Sequence, residues 1–79
     1  MMTQQDTQLA MFGCTYAQLD EMIADYIGPL EMLSMSILSD AQEVLERGRS
    51  NESRQYMNRA KYVMSVIIER NMNAMQGAA

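Results

Sequence analysis

Seventy-nine residues carrying ten acids, six bases, one cysteine and no histidine give a net charge of −4. That rules out an intramolecular disulfide, argues against a structural zinc, whose sites are built from several Cys and His, and argues against generic affinity for nucleic acid or anionic membranes. A hydrophobic content of 48% against 20% charged residues supplies enough apolar surface to offset chain entropy, so the sequence specifies a folded domain rather than a disordered one. A domain this small buries only about 60% of its unfolded surface, and assembly with a second copy is the ordinary remedy when disulfides and metals are missing.

Residues 1–14 show no sustained period and close on Phe12-Gly13-Cys14, which reads as a flexible arm with an apolar patch at Leu9, Met11 and Phe12. At Thr15 a capping box, Thr15-Tyr-Ala-Gln18, opens a first helix, with Asp20 and Glu21 placed early, where the helix dipole favours negative charge. Leu19, Ile23, Tyr26 or Ile27, Leu30, Leu33, Ile37, Ala41 and Val44 or Leu45 then recur in steps of three and four. Pro29 interrupts this run by removing a hydrogen bond and pressing on the carbonyl of Asp25. Two readings compete: a kink inside one helix over 15–47, or a fresh helix starting at Pro29. The unbroken apolar phase favours the kink.

Arg47-Gly48 makes a helix C-terminus, and Arg49-Ser50-Asn51 a turn in which Ser50 or Asn51 caps a second helix over 51–75. The stripe of that helix is Tyr56, Ala60, Val63, Ile67 and Ala74, widened by Met57, Met64, Ile68 and Met75 into a face too broad for one neighbour. Residues 76–79 are expected to fray. Charge is segregated as well: the first 46 residues hold eight acids and no base, and all six bases lie between Arg47 and Arg70. This suggests an acidic and a basic helix paired antiparallel, with Ile37 meeting Val63, Glu31 approaching Arg70 and Asp40 approaching Arg59.

In that pairing the start of the first helix overhangs, and Tyr16, Leu19, Met22 and Ile23 need cover from a second copy or from the arm. The expected fold is therefore all-α: a flexible arm (1–14), an antiparallel helical hairpin with a long Pro-kinked first helix (15–75) and a frayed tail (76–79). Two copies would make a four-helix bundle. No run of about 18 apolar residues is present to span a bilayer, the first ten residues have no basic leader region, and the lone cysteine suits a reducing compartment, so a cytoplasmic location is expected.

Chemistry is sparse. Asp20, Glu21, Asp25 and Glu31 are the plausible catalytic stock, yet Asp20 and Asp25 point to different sides of a helix and no histidine accompanies them. Ser34, Ser36, Ser39 and Ser65 have no imidazole to activate them, and the four glycines are too dispersed to cradle phosphate. No catalytic residue, metal site, cofactor or small-molecule substrate is inferred. Cys14 reads as a small packing residue before a cap.

Methionine is the second unusual feature, with ten in the chain. Met22, Met57 and Met64 fall on the internal stripes, whereas Met32, Met35 and Met72 lie off them and are candidates for binding a partner's amphipathic helix. Arg47, Arg49 and Arg54, with Arg59 and Lys61 nearby and Tyr56 and Tyr62 interleaved, form a candidate anion site, although Asp40, Glu43, Glu46 and Glu52 lie close enough to neutralise it. The expected function is a non-enzymatic interaction or adaptor module, homodimeric and engaging a protein partner through Met-rich surface. The alternative is a small regulator contacting nucleic acid through its Arg-rich turn.

Overall fold

The structure, a computed structural model, describes residues 3–77 and contains, within them, four helices and no strand: α1 Gln4–Phe12, α2 Tyr16–Asp25, α3 Leu30–Glu46 and α4 Ser50–Gly77. The all-helical class expected from the sequence holds. Helix α4 sets the long dimension of a molecule measuring 47 × 33 × 18 Å, and the other helices pack around it.

The hairpin of α3 and α4 follows the periodic pattern. Ile37 and Val63 share one core with Ile23, Leu33 and Ala60. Ile37 and Val63 in one core near the middle, Ser53 donating to the Ala41 carbonyl (2.8 Å) towards the turn, and Glu31 sharing a groove with Arg70 at the other end establish the antiparallel direction. The turn closes as expected: Gly48 takes a left-handed φ of 81°, its amide donates to Leu45 and that of Arg49 to Val44, which satisfies the last carbonyls of α3. Ser50 is the first residue of α4 rather than its cap, with the Ser53 amide donating to the Arg49 carbonyl.

Charge complementarity between the two helices does not set the register. Among the described residues both ion pairs are local, Arg47 with Glu43 and Arg49 with Glu52, and Arg59 is turned away from Asp40 to hydrogen-bond the Phe12 carbonyl. Exposed pairs are worth too little to position a helix, whereas each large core side chain contributes ~1.5–3 kcal/mol. Apolar packing and the buried Ser53 bond do that work instead.

The single kinked helix over 15–47 is replaced by two. Helix α2 stops at Asp25, Tyr26 is extended, Gly28 adopts φ 131° and Pro29, at φ −66° and ψ 136°, precedes α3. A continuous helix would have driven the Pro29 ring into the Asp25 carbonyl. The apolar phase survives the break because α2 and α3 bury their stripes in the same core. Ile27, the member of the run that falls in the break, drops out of it and is 96% exposed.

Residues 4–12, expected to lie in a flexible arm, are helix α1. It opens on a second capping box, in which the Asp6 amide donates to the Thr3 hydroxyl (3.1 Å) and the Thr3 amide to the Asp6 carboxylate (3.2 Å). It ends at Gly13, at φ 71°. Thr15 caps α2 in the same way with Gln18, as the sequence predicts. At the other end Gln76 and Gly77 belong to α4, and the remainder of the expected frayed tail lies outside the described residues.

Candidate functional site

Over residues 53–67 two sides of α4 are occupied, one by α3 and one shared by α1 and α2. Tyr56, Ala60 and Val63 face α3 or its core. Tyr62 meets α2, donating its hydroxyl to the Asp20 carboxylate at 2.6 Å and stacking on Tyr16 with ring centres 5.6 Å apart. Gln55, Asn58 and Arg59 hold α1, donating to the carbonyls of Leu9 and Ala10, of Met11 and of Phe12. These three side chains satisfy the last turn of α1, and the Arg59 cation complements the negative end of its dipole. The same guanidinium lies 4.7 Å over the Tyr56 ring.

The expected overhang is thereby covered from within the chain. Leu19 is 1% exposed and Ile23 is buried, Met22 packs partly against the core, and Tyr16 sits in a cluster with Phe12 and Tyr62. Phe12, the one buried residue of α1, closes this end of the molecule. Leu19 and Ile23 are thus covered without a second copy, Met22 in part, and Tyr16 remains 44% exposed. Tyr62 has its phenol pushed up to about 12, first by the hydrogen bond to Asp20, then by burial and by the Asp20 charge.

The uncovered side of α4 carries Met57, Lys61, Met64 and Ile68, in steps of four, three and four that place them in one row. All four are exposed. Met57 and Met64, read from the sequence as core, are thus surface residues at 45% and 37% exposure. Helix α3 adds a parallel row of Glu31, Met35, Leu38 and Leu45, exposed as well. The two rows border two successive depressions along the α3–α4 groove: Glu31, Met35, Met64, Ile67 and Ile68 line one, and Leu45, Arg54, Met57 and Lys61 line a second nearer the turn. The heptad-like spacing of both rows repeats beside the buried stripe, a signal that marks a second apolar row without separating it from the core.

Of the three methionines singled out from the sequence, Met35 lines this groove. Met72 continues the α4 row beyond it, and Met32 is exposed but lines no part of it. The Arg-rich turn is partly neutralised: Arg47 bonds Glu43 at 2.8 Å and Arg49 reaches Glu52 at 3.4 Å, while Arg54 borders the groove. Among the described residues no three acidic or thiol side chains converge on a point that would hold a metal, no buried side-chain polar atom lacks a partner, and no helix is long and apolar enough to cross a membrane. Cys14 is partly buried, its thiol turned to the Phe12 carbonyl. No known protein family, characterised protein or solved structure matches this chain.

Proposed function

We propose that the chain is a non-enzymatic helical interaction module that receives an apolar helical surface of a protein in the groove between α3 and α4. The observation that carries this reading is the row of large apolar side chains on the side of α4 that α1, α2 and α3 leave uncovered, beside the exposed row of α3. A contiguous exposed apolar patch on a small domain marks an interaction site, and unbranched thioether side chains repack around varied partners at little cost. The heptad spacing of both rows matches what a helix laid into the groove would require. Local pairing of Arg47 and Arg49 supports this reading over one in which the turn grips nucleic acid.

The test is an anisotropy titration with two labelled probes, a synthetic amphipathic helix and a short DNA duplex, at sub-micromolar protein and several salt concentrations. Binding of the helix should be nearly indifferent to salt and should fall at least tenfold in a Met35→Gln, Ile68→Gln variant, a loss of about 1.4 kcal/mol or more. Steeply salt-dependent retention of the duplex, abolished by Arg49→Gln and Arg54→Gln and untouched by the groove changes, would replace this reading with the nucleic-acid one.

A further inference from the structure

We infer that the helical surface seated in the α3–α4 groove is that of a second copy of this chain, packed in a two-fold arrangement in which the turn of each copy lies at the open end of the other. The inference rests on the interaction-face reading above and adds the occupant and its orientation. A surface that pairs with its own copy must be self-complementary about its centre, and the charges bordering the groove have that property. Glu31 lines the apolar depression, with Arg70 beside it only in the separate groove at the open end of the hairpin, and Lys61 and Arg54 line the neighbouring depression towards the turn. Glu31, Lys61 and Arg54 are exposed, and among the described residues none of the three belongs to an ion pair.

Their spacing locates the axis. Glu31 shares a groove with Arg70 and so lies level with that turn of α4, while Lys61 is nine residues earlier, about 13 Å back along the helix. The point midway between those levels falls between Met64 and Ile68, beside Met35, at the centre of the apolar groove. A two-fold axis there brings Glu31 of each copy level with Lys61 of the other and lays the two apolar centres on one another. The alternative, an axis along the helices, would put the Arg54 and Lys61 ends of both copies side by side, which like-charge repulsion opposes. Single polar residues set into an apolar seam fix the direction of helical pairings in this way.

Sedimentation equilibrium on the full chain, with circular dichroism on every variant, tests the inference. The wild type should give twice 9.0 kDa. Met64→Gln with Ile68→Gln, both on exposed positions, should give a monomer of unchanged helicity. Glu31→Lys should weaken the dimer on the order of tenfold, because symmetry loses two pairs and creates like-charge neighbours, and adding Lys61→Glu should restore it. A dimer indifferent to the groove changes would place the interface elsewhere and overturn the inference, as would Glu31→Lys having no effect, which contradicts the orientation. A monomer that still binds the amphipathic helix probe through Met35 and Ile68 would overturn the second copy while leaving the interaction face standing. A monomer that binds no probe would remove both.

Discussion

The α3–α4 hairpin buries Leu33, Ile37, Ala41, Ala60 and Val63 along a periodic seam, whereas α1 buries only Phe12 and is fastened by four hydrogen bonds from α4 side chains to its last carbonyls. Between these extremes α2 combines two buried aliphatics, Leu19 and Ile23, with the Tyr62–Asp20 bond. One end of the molecule is thus held by area removed from water, which is cooperative and hard to undo locally. The other is held by polar bonds of about 0.5–1.5 kcal/mol each, which open one at a time. The hairpin is the stable frame, and the N-terminal layer is a cover that buries its own Phe12 and Leu19 and shields part of Tyr62, while Tyr16 stays exposed.

The largest expected effect breaks the frame. Ile37→Ala should cost ~2–4 kcal/mol of unfolding free energy and Val63→Ala somewhat less, with coupling in the double variant because both side chains belong to one core. Chemical denaturation of the four species measures it. Full additivity would mean the two do not touch.

Next in size are changes at the joint of the cover. Gly13 sits at φ +71°, and a Cβ there would come within 2.6 Å of the Arg59 guanidinium. Gly13→Ala should therefore cost ~1–3 kcal/mol through backbone strain and displacement of Arg59. The loss should appear in native-state hydrogen exchange as faster exchange of α1 amides, with the α3–α4 amides unchanged. Equal acceleration in both regions would show that the cover and the frame unfold as one unit.

The smallest effect is set by pH. Tyr62 is raised from 10.0 to about 12 in the folded protein, so the folded state keeps a proton that the unfolded chain gives up. The associated stability is complete below pH 10.0 and is lost as the pH climbs to about 12. Because solvent reaches this hydroxyl, Tyr62→Phe should cost at most ~1 kcal/mol at neutral pH. Thermal melts should show a shallower decline across that alkaline window in the variant, and an unchanged slope would contradict the bond to Asp20.

This contrast also explains what the sequence makes legible. The hairpin, its Gly48 turn and the Thr15 cap carry signals that are local or periodic, and each lies where those signals point. The sequence offers the break at Gly28-Pro29 as one of two readings, and phase continuity favours the other, because two helices that bury their stripes in the same core keep the phase of a continuous one. Helix α1 announces itself only through Thr3-Gln-Gln-Asp6, without an apolar stripe behind it. Its docking residues Gln55, Asn58 and Arg59 look in sequence like any solvated face. The exposed row on α4 was visible as breadth, but Met57 and Met64 lie so close in angle to the buried stripe that periodicity alone assigns them to the core.

The central claim, that the α3–α4 face and not the Tyr16 end is the interaction surface, has a direct readout in the methionine methyl groups. Methyl-labelled methionine spectra recorded while the protein is diluted from high micromolar to sub-micromolar concentration should show Met35, Met57 and Met64 shifting together, with Met22 and Met32 fixed. Shifts at Met22 that follow concentration while Met35 and Met64 stay still would contradict the account and return the interface to the N-terminal end.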